Sequence, residues 1–181
     1  QDTLDIVQPG DTITLSGGEY FQDLVTRTDG LADAPITIRG LEGEAKSNPA
    51  IIRGARSSHV FNVHHDHYVL EHFTIDGQCG DGSVREHYRN KLIYVCGTHR
   101  VPRLIEGKHL TQRQSGQAYL SSVDGLVVRH MTLANCGGEC VRLKCFVTHT
   151  NFHHNTVTNC GVYDTRFQAG ALNGEAVCEC V

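Results

Sequence analysis

The sequence contains no tryptophan, one methionine and four prolines, and its apolar runs are only a few residues long. Runs this short cannot cross a bilayer as a helix, so we expect no membrane-spanning segment and no membrane partner. The net charge of −4 lacks the positive excess that general nucleic-acid binding requires, so no nucleic-acid partner is expected either. A local basic cluster on an acidic protein could still bind an anionic substrate.

Several motifs of common enzyme classes are also absent. The chain has no phosphate-binding loop, dinucleotide fingerprint, nucleophile elbow or H-E-x-x-H sequence. It has no Cys-x-x-Cys pair, which argues against a metal site built from cysteines. These absences remove the usual signatures of nucleotide-binding proteins, serine esterases and zinc proteases.

Two segments of the chain are similar after a shift of 24 residues. Residues 129–137 align with residues 153–161, and His, Thr, Asn, Cys and Gly recur in register, while an earlier copy begins at His72. A period in the low twenties, built from β-branched runs and turn residues, indicates a solenoid. Its length fits one coil of a parallel β-helix, whose strands stack ~4.8 Å apart. Like residues should then form ladders, with His over His, Asn over Asn and Cys over Cys.

The apolar pattern predicts which side chains face the core on either side of a bend. One inward set surrounds a bend at His72 and its repeat surrounds a bend at His130; the sets are Tyr68, Leu70, Phe73 and Ile75, and Leu126, Val128, Met131 and Leu133. Regular turns leave no linker, so we expect a single all-β domain over residues 1–181, with about seven coils and a short N-terminal cap.

Residues 79–120 interrupt this rhythm with a loop-rich excursion that holds one clear strand, Leu92 to Val95. Positive charge is concentrated in it, at Arg100, Arg103, Lys108, His109 and Arg113. Long excursions from a solenoid often carry function or close a cleft, so these are candidate substrate-binding residues. A solvated loop fits the same composition equally well.

Eight cysteines in 181 residues indicate a secreted, extracellular protein with disulfides. The repeat places Cys136 and Cys160 one coil apart, either as a disulfide or as a stacked pair of buried thiols. Other candidate pairs are Cys79 with Cys96, and Cys178 or Cys180 with Cys140 or Cys145. The sequence leaves the connectivity open.

The N-terminal run from Val7 to Tyr20 (VQPGDTITLSGGEY), followed by APITIRG from Ala34 to Gly40, resembles the opening of a known group of proteins. These are the secreted right-handed parallel β-helix proteins of the pectin-lyase-like superfamily, and the segment is most similar to the chondroitinase B and alginate lyase family. Residues 68–77 (YVLEHFTIDG) resemble the next recurrent coil. The resemblance implies a single-stranded right-handed parallel β-helix with an acidic polysaccharide as its partner.

Lyases of this type remove the proton alpha to a uronate carboxyl group and eliminate the 4-linked sugar. In the family, a cation, often Ca²⁺, neutralises the carboxylate, a base, commonly Lys, takes the proton, and an Arg-like donor stabilises the developing charge. Asn173-Gly174-Glu175 resembles the segment that supplies calcium ligands. Because Gly138 to Val141 matches Gly174 to Val177 at a shift of 36, Glu139 is expected to stack near Glu175 and share the Ca²⁺ with Asn173. Alternatively, both glutamates are surface groups paired with a nearby Lys or Arg.

Arg142 and Lys144 are the candidate catalytic residues. Alternation puts both on one face of a strand, and a bend directly after Glu139 is needed to bring them to the same site as that carboxylate. The lyases, however, place their Lys and Arg after the Asn-Gly-Glu segment, whereas this sequence stops at Val181. The alternative is therefore a non-catalytic carbohydrate-binding or surface structural β-helix, and an open last coil would favour edge-to-edge oligomers.

Histidines form two groups that allow a third reading. His59, His64, His65 and His67 surround Asp66, and His149, His153 and His154 lie together near the repeat. Imidazoles suit zinc, copper or nickel, so a transition-metal site is one possibility. The other is that His72, His130 and His154 occupy coil corners, where His tolerates unusual backbone angles.

Overall fold

The computed structural model describes residues 1–41, 48–55, 57–97, 104–105, 108–109, 123–144 and 147–162. Two short 3₁₀ helices lie in these ranges, at Asp2–Asp5 and Arg85–His87. The first stands where the sequence predicts an N-terminal cap. Neither helix in the described part of the chain has the length or apolar character needed to cross a lipid bilayer.

The rest of the described structure is mostly β. The first nine strands are β1 (Thr12–Leu15), β2 (Gly18–Tyr20), β3 (Leu24–Val25), β4 (Ile36–Gly40), β5 (Ala50–Ile52), β6 (His59–Val63), β7 (Tyr68–Glu71), β8 (Thr74–Asp76) and β9 (Arg89–Val95). The others are β10 (Leu104–Ile105), β11 (Lys108–His109), β12 (Val123–Asp124), β13 (Val127–Arg129), β14 (Thr132–Leu143), β15 (Val147–Thr148), β16 (Asn151–His153) and β17 (Thr156–Cys160).

Parallel strands dominate and form curled sheets. One sheet has the order β1-β4-β7-β13-β16, and the other has the order β2-β5-β8-β14-β9-β6-β3, with β17 also paired to β14. Strands β12 and β15 form a further parallel pair, while β10 and β11 are antiparallel. Neighbouring strands in each sheet come from distant parts of the sequence, as expected when the chain returns repeatedly to the same sheets.

The 24-residue repeat predicted from the sequence is confirmed by the strand register. Arg129 lies beside His153, Thr132 beside Thr156, and Cys136 beside Cys160. The earlier copy is also in register, because Thr74 lies beside Thr132.

The corners between the sheets are built from residues in the left-handed region. His72, His130 and His154 have φ values of 63°, 52° and 56°, and their rings stack with centroids 4.9 and 5.0 Å apart. The prediction that histidines sit at the bends is therefore confirmed. Desolvation lowers the pKa of His130, and the neighbouring His72, His154, His153 and Arg129 lower it further. We call the stacked rings of His72, His130 and His154 the imidazole stack.

The core lies between the sheets and is filled by the residues that the sequence predicts to point inward. Tyr68, Leu70, Ile75, Leu126, Val128 and Leu133 are 0% exposed, and Phe73 and Met131 are 3% and 1% exposed. Along one ladder, Ile38, Leu70 and Val128 are successive partners. Deeply buried aliphatic ladders of this kind supply most of the apolar burial that stabilises the sheets.

One carboxylate is buried at the edge of this core. The side chain of Glu71 is 4% exposed and lies between two arginines on neighbouring strands. Its Oε1 is 3.1 Å from Arg39 Nη2, and its Oε2 is 2.7 Å from Arg129 Nη2. The two guanidinium groups compensate the charge that burial would otherwise penalise.

The disulfide pattern differs from the sequence-based expectation. Cys160 is bonded to Cys140, with their Cα atoms 5.8 Å apart, and not to its ladder partner Cys136. Cys136 is still the backbone partner of Cys160, and the disulfide reaches Cys140, four residues further along β14. Cys136 is a buried free thiol, and burial raises its pKa to about 12.

Two other candidate pairings are also contradicted, while a pairing of Cys145 with Cys178 or Cys180 lies outside the described residues. Cys79 is an exposed free thiol, so it is not paired with Cys96, which is itself disulfide-bonded. Because Cys140 is bonded to Cys160, it does not pair with Cys178 or Cys180.

Candidate functional site

The predicted residues Glu139 and Arg142 lie in the second half of β14, which pairs with β9, and β9 in turn pairs with β6. Two rows of polar side chains cross these three strands. His59, Lys91 and Glu139 are successive partners in one row, and Asn62, Tyr94 and Arg142 are successive partners in the other. All six side chains are partly exposed, and we call them the polar face.

The local sequence explains why the two rows are three residues apart and not two. Between His59 and Asn62, both Val60 and Phe61 are fully buried. Between Lys91 and Tyr94, Leu92 and Ile93 are likewise fully buried. Two adjacent apolar residues on each strand thus anchor the sheet to the core and leave the flanking polar residues at the surface.

Glu139 is the electrostatic centre of the polar face. One carboxylate oxygen contacts Arg142 Nη1, and the other is 3.5 Å from Lys91 Nζ. The side chains of Glu139 and Lys91 are only 15% and 16% exposed, while that of Arg142 is 42% exposed. Two cations sharing one carboxylate leave one positive charge in excess, on a protein whose net charge is −4. This excess can attract an anionic group to the exposed guanidinium.

An aromatic pair lies next to this ion cluster. The rings of His59 and Tyr94 stack with centroids 4.3 Å apart and an interplanar angle of 17°. His59 Nδ1 is 3.0 Å from Asn62 Oδ1. Because an amide oxygen only accepts hydrogen bonds, Nδ1 carries the hydrogen and the lone pair of the neutral ring is on Nε2. The polar face therefore combines a nitrogen base, a phenol and a guanidinium.

The sequence predicts a bend directly after Glu139, and the pairing of β14 with β9 does not test it. The register shift lies before Glu139, between Cys136 and Glu139. The two residues between Cys136 and Glu139 are Gly137 and Gly138, which have no side chain to hinder a bulge. The Glu139 carboxylate nevertheless reaches Arg142, as the prediction of a shared site requires.

Lys144 lies just beyond the end of β14. Its backbone N–H donates to Val95 O at 2.9 Å, which extends the pairing with β9 by one residue. It stands two positions after Arg142, so a continuing strand geometry places both on one face. In the part of the chain that the structure describes, Lys144 has no carboxylate within ion-pair distance.

The predicted calcium ligands are only partly described. Asn173 and Glu175 lie outside the described residues, as do Arg100, Arg103 and Arg113 of the excursion. Lys108 and His109 form β11, but their side chains are also outside the description. Of the proposed ligands, Glu139 alone can be assessed, and both of its oxygens already contact cationic side chains. That arrangement does not fit a Ca²⁺ ligand, so the chemistry below uses no metal.

The histidine groups do not form a metal centre among the described residues. No set of three His, Cys, Asp or Glu side chains in the described ranges is arranged to hold a metal ion. His153 Nδ1 and His154 Nδ1 are 2.7 Å apart, which is a hydrogen bond between the two rings. His149 instead contacts Asp124 Oδ1 at 2.6 Å.

Sequence reasoning missed Lys91, Tyr94, His59 and Asn62 as members of the site. The signal was present, because His59/Asn62, Lys91/Tyr94 and Glu139/Arg142 share the same three-residue spacing. These pairs show no internal sequence similarity, so only the strand pairing identifies them as neighbours.

A comparison with solved structures finds similarity to a known enzyme structure. The chain is similar to the crystal structure of an alginate lyase from Paenibacillus sp. str. FPU-7, with 18% sequence identity and a TM-score of 0.44. The match covers 92% of this chain and 66% of the lyase chain. No protein-family model matches the sequence, and the comparison with curated proteins also finds no match.

Proposed function

We propose that the chain is a secreted right-handed parallel β-helix that cleaves uronate-containing glycans by β-elimination at the polar face. The recurring parallel register supports the β-helix. The Cys140–Cys160 disulfide supports an oxidising, extracellular location. One observation carries the activity: the ion cluster around Glu139 lies next to the stacked pair of Tyr94 and His59.

In this proposal, Arg142 binds the substrate carboxylate. Its guanidinium is 42% exposed and already fixed on one side by Glu139, so it is oriented without being covered. A guanidinium on a uronate carboxylate stabilises the negative charge that develops when the alpha proton leaves. Lys91 keeps the Glu139 carboxylate compensated while Arg142 engages the substrate.

Proton transfers are assigned to the aromatic pair. His59 Nε2 removes the C5 proton, the electron pair forms the C4=C5 double bond, and the C4–O bond breaks. The Tyr94 hydroxyl donates its proton to the leaving oxygen. A neutral imidazole carries an in-plane lone pair that can accept this proton, whereas a lysine ammonium has none.

Lys144 is the alternative base. Its position beyond Arg142 allows it to approach the same substrate group, and the resemblance to the lyases gives that role to a lysine. Lys108, His109, Arg100, Arg103 and Arg113 are proposed to bind further anionic groups of the glycan. The proposal keeps a Ca²⁺ site at Glu175 and Asn173, without Glu139 as a ligand. No step of the reaction is assigned to this ion.

The test is elimination activity on a panel of uronate polysaccharides, followed by the ultraviolet absorbance of the unsaturated product, with calcium and then with chelator. Tyr94→Phe and His59→Gln should each lower the rate by about 10²-fold or more, since general acid–base groups contribute on that order. Tyr20→Phe is the matched control, because its hydroxyl donates to Ser16 O elsewhere on the surface.

Variants of the cations complete the design. Arg142→Ala should abolish measurable turnover, whereas Arg27→Ala, an exposed arginine paired with Asp5, should leave it unchanged. If Lys144→Ala removes activity and His59→Gln does not, the base is Lys144 and the assignment to His59 is wrong. Full activity of Tyr94→Phe, His59→Gln and Arg142→Ala together would refute the polar face as the active site.

A second candidate is a non-catalytic carbohydrate-binding β-helix. The observation that favours it is the pairing of both Glu139 oxygens, which makes the face a stable electropositive surface even without chemistry. It predicts retained glycan binding, weakened by Arg142→Ala, with no unsaturated product from any substrate.

A further inference from the structure

A cleft of about 1180 Å³ lies where the ends of β5 and β8 meet the loop that leads into β9. Its walls include Phe21, Arg53, Asp76, Gln78 and Arg89. Concave surfaces with an aromatic wall and a few polar groups are typical of small-molecule binding sites. The polar face uses none of these residues.

Arg89 is the unusual member of this cleft. It is 7% exposed, and its Nη2 donates to Ala55 O at 2.6 Å. Its Nε is buried without a hydrogen-bond partner, and no carboxylate of the described residues lies within ion-pair distance. A buried guanidinium without a counterion is costly, so an anionic ligand group in the cleft would stabilise it.

Phe21 supplies an apolar platform in the same cleft. Its side chain lines the wall and is 64% exposed, which is high for an aromatic residue. An exposed aromatic ring can pack against the C–H face of a pyranose ring, because both surfaces are apolar and flat. A cation and an aromatic ring in one cleft match a sugar that carries a carboxylate.

The carboxylates of the cleft do not compete for Arg89. Glu19 and Asp76 both bind Arg53, at 2.7 and 2.8 Å, so this arginine compensates one of their two charges, and neither carboxylate is within ion-pair distance of Arg89. Glu86 is exposed, and water screens its charge. Lone pairs left on these groups, and the Gln78 amide, can accept hydrogen bonds from sugar hydroxyls.

We infer that this cleft binds one acidic monosaccharide unit, with Arg89 as the counterion of its carboxylate and Phe21 as the platform for its ring. The inference deepens the proposed function, on which the choice of a uronate rests. It assigns a second glycan-binding position that shares no residue with the polar face, although Arg89 lies two positions before Lys91 on β9.

The chain offers a direct reporter for this site. Since the sequence contains no tryptophan, Phe21→Trp introduces a single fluorophore at the cleft wall. Titration with glucuronate should produce a saturable change in fluorescence, and glucose should produce none at the same concentrations. Calorimetric titration of the unsubstituted chain with the same two sugars should show the same preference.

Arg89→Gln in the Phe21→Trp background should weaken glucuronate binding roughly 10- to 100-fold, the loss of one charge-assisted hydrogen bond. Because Arg89 is buried, Arg89→Lys provides a second variant that keeps the charge, and circular dichroism verifies that both fold. Equal affinity for glucose and glucuronate, unchanged affinity of Arg89→Gln, or no binding in either assay would overturn the inference.

Failure of this inference is distinguishable from failure of the proposed function. Elimination that needs Arg142, without a glucuronate response at the cleft, would refute the cleft alone. A glucuronate response that depends on Arg89, in a chain without elimination activity, would support the cleft and refute the proposed activity.

Discussion

The buried carboxylate of Glu71 gives the sharpest test of the energetics of this fold. Replacing it with glutamine keeps the shape of the side chain and removes its charge. Glutamine can accept from Arg129 or from Arg39, but its NH₂ group then faces the other guanidinium, so a donor meets a donor. The substitution therefore breaks one of two charge-assisted interactions and weakens the second.

The magnitude follows from the contacts. Losing one hydrogen bond to a charged group costs about 1.5–3 kcal/mol, and weakening the other adds to it. The released guanidinium groups are 46% and 41% exposed, so water solvates them and limits the penalty. We expect the free energy of unfolding to fall by about 2–3 kcal/mol.

Urea denaturation followed by far-ultraviolet circular dichroism measures this change, provided that the m-value is unaltered. Glu19→Gln is the matched control, because that carboxylate also binds an arginine, Arg53, but is 45% exposed. Its loss should stay below about 1 kcal/mol. Equal losses in the two variants would refute the argument that burial makes the Glu71 pair strong.

Three further outcomes are expected. Cys140→Ala breaks a disulfide with a sequence separation of 20 residues and should lower the free energy of unfolding by about 3 kcal/mol. Cys136→Ala removes only a buried free thiol and should lower it by about 1 kcal/mol. Equal losses in urea denaturation would contradict the disulfide assignment. The pKa of His130 is lower in the folded chain than in the unfolded chain, so on acidification the unfolded chain binds the proton first. The free energy of unfolding should therefore fall as the pH drops through the usual histidine value of ~6.5. His130→Asn should flatten this pH dependence, and an unchanged slope would contradict the argument. Gly40→Ala would place Cβ 2.0 Å from His72 O, a backbone atom, so it should destabilise by about 1–3 kcal/mol in the same assay; a neutral effect would contradict the close approach.

The repeat was predictable because its copies lie in adjacent rungs of the sheets. Identical residues that recur at a fixed shift indicate which positions pair in neighbouring strands. The stacking of the His130 and His154 rings, and the pairing of Thr132 with Thr156, therefore follow from the sequence. The inward-facing residues were predictable for a similar reason. Apolar residues alternate with polar ones on both sides of each histidine corner, and a single strand register places all the apolar side chains in the core.

The polar face was only partly predictable. Glu139 and Arg142 stand on one strand, and their proximity could be argued locally. Lys91 and Tyr94 lie in the long excursion, and the sequence does not indicate with which strands its strand β9 pairs. Strand β9 pairs with β6 and β14 but has no sequence similarity to either. The disulfide was not predictable either, because the repeat identifies Cys136 as the register partner of Cys160, whereas the bond is made to Cys140 further along the same strand.

Strand β14 runs for twelve residues without a turn, and its two halves pair with different strands. Its first half is bonded to β8 and β17, and its second half to β9. The amide hydrogens of this second half that bond to β9 should consequently exchange slowly with solvent, since exposing them requires separating the two strands. Substrate would then meet charges whose positions are set before it arrives, and little ordering entropy would be lost on binding.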